Sequence, residues 1–179
     1  HAPLAADAPA VLDLHPEPGL QVAGHGILVG GRRAAPARFW RLAFPMPFRA
    51  SIERWSAERN LDPFVGAALM RQESEFNPKA LSRVKAVGLM QVMPPTGRWL
   101  APKAGLKGFR TSMLTQPDVN IRLGTYAFRL EMNSFRDNLY AVLAGYNAGH
   151  SRPVKWLPWE EWREPSEFVE TIPFNETRD

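Results

Sequence analysis

The sequence predicts a mainly α fold, one helical domain interrupted by a short hairpin or extended loop. Three observations carry that reading. From Pro45 onward apolar residues recur at helical spacing, helix-start signals such as Asp62–Pro63 and Pro117–Asp118 head these runs, and the stretch from Ala80 to Pro95 is too interrupted for a helix. With 179 residues, 45% of them hydrophobic and 22% charged, one core can bury roughly 70% of the unfolded surface without help from a metal or disulfide.

The first 44 residues stand apart. They are rich in Ala, Pro and Gly, show no sustained apolar period before about residue 35, and read as an extended arm or the tail of a preceding region, with the folded domain at 45–179. His15 and His25 lie in this arm without ligand-like neighbours, so no metal is assigned. Phe48, Ile52, Trp55 and Leu61 after Pro47 predict a helix over 47–59, with Asn60 suited to its end. Asp62 caps a second helix with Pro63 in its first position. Phe64, Val65, Ala67, Ala68 and Leu69 make that helix almost wholly apolar, and it is expected to end near Phe76, before Pro78.

Gly88 to Met93, flanked by Val84 and Val87 and stopped by Pro94 and Pro95, fits the hairpin or loop. Further helices are expected at 95–103, at 117–132, and at 137–148, where Asp137 caps and Leu139, Val142 and Leu143 point inward. Trp156, Trp159 and Trp162 lie near the end with Pro153, Pro158 and Pro165, and a further short helix is expected at 160–170.

Composition narrows the function. No apolar run approaches the ~20 residues needed to cross a bilayer, so no transmembrane segment is expected in the chain shown. The absence of Cys removes thiolate nucleophiles, disulfides and Cys-ligated zinc. Lys and Arg number 22 against 18 Asp and Glu, a net charge of +4 that favours weak attraction to anionic polymers. These basic residues are scattered among acidic ones, and nucleic acid is not an expected partner. The chain begins at His1 rather than Met, which reads as a processed or cut form.

The second helix changes abruptly from apolar to charged in its last turn, at Arg71, Gln72, Glu73, Ser74 and Glu75. A carboxyl at the C-terminal end of a buried helix loses solvation and meets the partial negative charge of the helix end, and both raise its pKa. A carboxylic acid kept protonated near neutral pH is what general-acid cleavage of a glycosidic bond requires. A capping or ion-paired glutamate is the commoner occupant of such a position, so spacing alone leaves Glu73 open.

Five segments in order decide between them. "ALMRQESEFNP" (68–78), "GLMQVMPPTG" (88–97), "NIRLGTY" (120–126), "AGYNAG" (144–149) and "ETIPFNETR" (170–178) resemble the successive motifs of the soluble lytic transglycosylases, lysozyme-like enzymes that cut peptidoglycan. The approach "RLAFPMPFR" (41–49) is similar to the sequence leading into this domain in soluble members. The resemblance implies a lysozyme-like helical domain with the hairpin or loop at its active-site cleft. It also implies peptidoglycan glycan strands as substrate, no cofactor, and a place in the periplasm or cell envelope.

Residue roles follow from the resemblance. Glu73 matches the family's sole catalytic acid, with Ser74 the second member of its Glu-Ser pair. Ser82 matches a serine near the reacting sugar, while Gln91 and Met93 match residues lining the glycan groove. Tyr146 and Asn147 match the Gly-Tyr-Asn-Ala-Gly loop, with the phenol near the catalytic carboxyl, and Glu170 matches a carboxylate that helps hold substrate. A turn hydroxyl, core filler, a packed ring and a surface ion pair are the plain structural alternatives for these positions.

The family mechanism uses one glutamate. Glu73 protonates the oxygen between MurNAc and GlcNAc, then accepts the proton of the MurNAc C6 hydroxyl as that oxygen attacks C1, giving a 1,6-anhydro sugar without water. Hydrolytic glycosidases need a second carboxylate, about 5 Å away in retaining enzymes. Glu75, two residues along a helix, points about 200° away from Glu73 and is expected to be solvated.

Two departures stand out. Lys85–Ala86 replaces a Gly-Ala pair common in the family, and Lys is strained if the backbone there needs a positive φ. The chain stops at Asp179, where family members continue into a further helix, which puts part of the groove wall in question. A goose-type lysozyme-like hydrolase, with Glu170 or Asp118 holding water, and a non-catalytic peptidoglycan-binding module are the competing functions. Retention of Glu73 in "RQESEF" and of polar Gln91 and Asn147 inside apolar motifs favours the transglycosylase.

Overall fold

Ile52 and Trp55 turn inward from α1 (Arg49–Glu58), whose N-cap Phe48 takes the left-handed conformation instead of offering a capping side chain. The computed structural model describes residues 45–156, 165–173 and 177. The arm at 1–44, the Trp159–Trp162 stretch and Phe174 lie outside the described residues, and nothing in the structure bears on His15 or His25. Asn60, with φ 52°, ends the first helical unit as its residue type suggests.

Asp62 caps α2 (Pro63–Ser74) as expected, its carboxylate accepting from the Phe64 N–H at 2.8 Å with Pro63 at the helix start. The helix ends at Ser74, two residues before the expected end near Phe76. Glu75 (φ 49°) and Phe76 (φ 62°) both adopt left-handed conformations, and their N–H groups return to the carbonyls of Arg71 and Met70. This termination leaves Glu73 in the final turn.

The stretch before Pro94 is a loop pinned by two isolated antiparallel bridges, Leu81 with Val87 and Val87 with Val92, so the loop rather than a hairpin forms. Its tight part turns at Gly88 (φ 80°) and Gln91 (φ 45°). Lys85 has φ 67°, so it carries the strain foreseen for a positive φ at this position, about 1 kcal/mol.

Helix α3 (Pro94–Lys103) and a 3₁₀ turn (Thr111–Thr115) lead into α4 (Pro117–Ser134), the central helix, which packs against α1, α3, the 3₁₀ turn and α5 (Leu139–Ala148). The α5 cap differs from expectation. Arg136 (φ 53°) and Asp137 (φ 62°) reverse the chain, so Asn138 takes the cap and accepts from the Ala141 N–H at 3.2 Å, while Asp137 pairs with Arg129. Val142 is fully buried and Leu139 half-buried, but Leu143 is 39% exposed. A helix turns about 100° per residue, and the stripe that buries Val142 and Tyr146 leaves Leu143 outside it.

Two short helices complete the described chain, α6 (Ser151–Trp156) and α7 (Pro165–Thr171), the latter laying Phe168 and then Ile172 into the core beside α5. Ile52, Met70, Leu89, Leu100, Ile121 and Val142 belong to one continuous apolar cluster. Among the described residues no helix is long and apolar enough to cross a membrane.

Candidate active site

The end of α2, the loop at 87–92 and the end of α5 meet around Glu73 and Tyr146. Glu73 is half-buried, and burial alone lifts its carboxyl from 4.5 to about 8. No other charged group among the described residues contributes to that shift. Glu73 is therefore an acid that keeps its proton at neutral pH.

Behind it, Ser74 is buried, and its hydroxyl lies 3.0 Å from the Met70 carbonyl and 2.8 Å from that of Leu89. Ser74 thus ties the last turn of α2 to the loop. Gln91 is also buried and bends back on its own loop, Nε2 donating to the Gly88 carbonyl at 2.8 Å. Met93 is half-buried at the start of α3 and packs on the core. Ser82 closes the preceding loop, its hydroxyl accepting from the Ala86 N–H at 2.9 Å.

Tyr146 is 1% exposed, and its hydroxyl donates to the Met90 carbonyl at 2.8 Å. Its pKa is held well above the usual value of 10, by burial first and then by the charges of Glu73 and Glu131. The phenol thus stays protonated within the electrostatic reach of Glu73. Replacing Tyr146 with Phe is expected to leave the buried Met90 carbonyl unpaired, lowering stability by about 1–2 kcal/mol, and to slow turnover. Thermal melts and initial rates check both effects, and unchanged kinetics would reduce Tyr146 to packing.

Asn147 is half-buried and accepts from the Thr177 hydroxyl at 2.6 Å, which joins Thr177 to the end of α5. Glu170 is exposed on α7, and Glu75 is exposed at the C-cap of α2. Asp118 lies at the start of α4, where one carboxylate oxygen accepts from Ser51 at 2.9 Å and from the Trp55 indole at 2.8 Å. It secures α1 to α4. No group of three or more His, Cys, Asp or Glu able to hold a metal occurs among the described residues.

Sequence reasoning missed the residue that shapes the loop. Asn120, fully buried in α4, accepts from the Met90 N–H and donates to the carbonyls of Val87 and Leu114, each at 2.8 Å. Gly88 exists for this contact, because a Cβ there would lie 2.4 Å from the Asn120 amide nitrogen and 2.5 Å from the Leu114 carbonyl oxygen. Gly124, one turn on from Asn120, admits Met90 in the same way, since its Cβ would fall 2.4 Å from the Met90 sulfur. The available signal was an amide opening "NIRLGTY" on an otherwise apolar helix face.

Comparisons with known proteins bear on the family and the fold. Residues 50–169 match the family model described as the transglycosylase SLT domain, and the chain belongs to that family. It is 35% identical over 137 residues to the soluble lytic murein transglycosylase of Escherichia coli strain K12, an alignment covering 75% of this chain and 21% of that protein. The solved structure of an inactive mutant of the lytic transglycosylase Slt from Pseudomonas aeruginosa shares 39% identity and superposes with a TM-score of 0.73, over 78% of this chain and 23% of that one. The 70 kDa soluble lytic transglycosylase of Escherichia coli gives 32% identity and a TM-score of 0.67, over 79% and 24%. The helical fold is that of these lytic transglycosylase structures, and the chain spans about a fifth of the length of the soluble curated relatives it matches and 26% to 33% of the membrane-bound ones.

Proposed function

We propose that residues 45–179 form the catalytic domain of a peptidoglycan lytic transglycosylase of the periplasm or cell envelope, with Glu73 as its single acid and base. The observation that carries this reading is the Glu73 carboxyl, held near pKa 8 by burial, with no second carboxylate among the described residues contributing. Protonated Glu73 gives its proton to the β-1,4 oxygen between MurNAc and GlcNAc as the C1–O bond breaks. The MurNAc C6 oxygen then bonds to C1, and its proton returns to the Glu73 carboxylate. Water enters no step, and the acid is regenerated.

Tyr146 supports the acid by keeping a neutral hydroxyl beside it, fixed on Met90. Ser82, Gln91, Met93, Asn147 and Glu170 are proposed to line the glycan groove, and Ser74 to act by holding the loop against α2. A lysozyme-like hydrolase would need Glu170 or Asp118 to hold water. Asp118, engaged with Ser51 and Trp55, gives that alternative little support.

Mass spectrometry of soluble products from purified peptidoglycan tests the reading. Anhydro-muropeptides, lighter by one water than reducing products and absent with the Glu73→Gln variant, are the expected result. Reducing products dependent on Glu73 would mean a hydrolase, and retained binding without products a non-catalytic module.

A further inference from the structure

The α4 face that meets the end of α5 contains a buried carboxyl where packing alone calls for an apolar residue. Phe128 and Glu131 on α4 and Phe135 at its C-cap follow one another at helical spacing. Phe128 lies 5.9 Å from the Tyr146 ring, and Phe135 lies 5.0 Å from the His150 ring, centroid to centroid. Between them the Glu131 side chain is only 3% exposed, and its Oε2 meets His150 Nδ1 at 2.7 Å. Burying a carboxylate is unfavourable compared with burying an apolar side chain of the same size, even when the carboxylate is paired. What the pair adds is direction, since a hydrogen bond fixes the orientation of the ring and apolar contact does not.

We infer that Glu131 and His150 are positioning residues for the tyrosine-bearing end of α5, locking the Tyr146–Gly149 segment against α4 so that the Tyr146 hydroxyl stays on the Met90 carbonyl. This deepens the transglycosylase reading and rests on Glu73 as the acid. The contacts form a connected path. His150 follows Gly149, whose left-handed backbone (φ 92°) and N–H bond to the Gly145 carbonyl at 2.9 Å end the helix. One turn back, Tyr146 holds Met90, and the adjoining Leu89 carbonyl holds Ser74, the neighbour of Glu73. Phe135 and Pro153 pack on the same helix end, each 3.4 Å from where a Cβ of Gly145 would lie.

The test replaces the pair with apolar residues, Glu131→Leu with His150→Leu, and separately makes Glu131→Gln, whose amide oxygen still accepts from Nδ1–H. The double variant is expected to melt no lower than the wild type, because neither a lone charge nor an orphaned polar group remains. Amide exchange at Gly149 should nevertheless accelerate by about tenfold or more while α1 to α3 are unchanged. On peptidoglycan, kcat should fall about tenfold with KM within about twofold, and Glu131→Gln should restore most of it. A stable double variant with wild-type exchange and kcat overturns the inference, as does a Gln variant as slow as the double.

A measurement on the wild type is independent of how the variants fold. His150 should show an Nδ1-bound proton, shifted downfield and slow to exchange, and its absence rejects the lock. Exchange and the proton resonance are read in the free protein. A wild type that yields no anhydro products would therefore refute the functional reading and leave this inference standing on its own data.

Discussion

Glu73→Gln is expected to lower turnover by between about a hundredfold and ten-thousandfold, the span general acid–base catalysis usually contributes, and at the same time to stabilise the fold above neutral pH. The two effects share one cause. In the folded chain the carboxyl titrates near 8, whereas its ordinary value is 4.5, so between these pH values the folded state holds a proton that the unfolded state has released. The stability that Glu73 contributes is full below 4.5 and is lost as pH rises through about 8. Above that point the wild type keeps a desolvated carboxylate, a cost of about 2–4 kcal/mol once partial exposure of the group is allowed for.

Glutamine has the same shape and does not titrate. The difference in melting temperature between variant and wild type should therefore be small at pH 4 and should grow steadily in favour of Gln to pH 9. The wild-type kcat/KM should fall over the upper part of that range, as the acid form disappears through about pH 8. Melting curves that run parallel across pH would mean that Glu73 titrates normally. A Gln variant retaining more than a few per cent of the rate would remove Glu73 from the chemistry.

The place of Glu73 in the last turn of α2 was legible in the sequence because it depends on local signals, whereas its role as the acid came only from the motif resemblance. Asp62 and Pro63 start α2, its apolar run sets which face is buried, and the change to charge at Arg71 marks its end. The α4 start at Pro117 was legible for the same reason. The two-residue error at the end of α2 and the shift of the α5 cap from Asp137 to Asn138 have a common physical source. In both places non-glycine residues adopt left-handed conformations, Glu75 with Phe76 and Arg136 with Asp137, at positions where the backbone energy of the isolated sequence argues against them. Tertiary packing outweighs that local preference. Glu131 and His150 were hidden differently, since residues 19 apart become partners only when α5 folds back on α4.

Asn120 is the strongest case of a site residue determined by long-range contacts, and its loss carries the largest expected stability effect. Its amide completes three hydrogen bonds to main-chain groups of the loop and the 3₁₀ turn, from a fully buried position. Asn120→Leu is expected to cost about 3–5 kcal/mol, because the Met90 N–H and the Val87 and Leu114 carbonyls lose this partner together where water does not replace it. Asn120→Asp separates hydrogen bonding from volume. The carboxylate can still accept from Met90, but its second oxygen then faces two carbonyl oxygens where the amide had donated to both.

At neutral pH the Asp variant should thus be about as unstable as the Leu variant despite its matching shape. Protonation restores one donor, so the folded state raises the pKa of this Asp above its unfolded value. The regained stability is full below the unfolded value and lost as pH rises through the folded one. Relative to wild type, Asn120→Asp should recover on acidification and Asn120→Leu should not. The consequence for activity follows from what the loop carries: Leu89 holds Ser74 beside Glu73, and Met90 holds Tyr146, so a loop released from α4 disturbs both sides of the acid at once. Residual turnover in either variant should be lower even under conditions where the chain is fully folded. Full activity in a folded Asn120→Leu protein would show that the loop keeps its shape without α4.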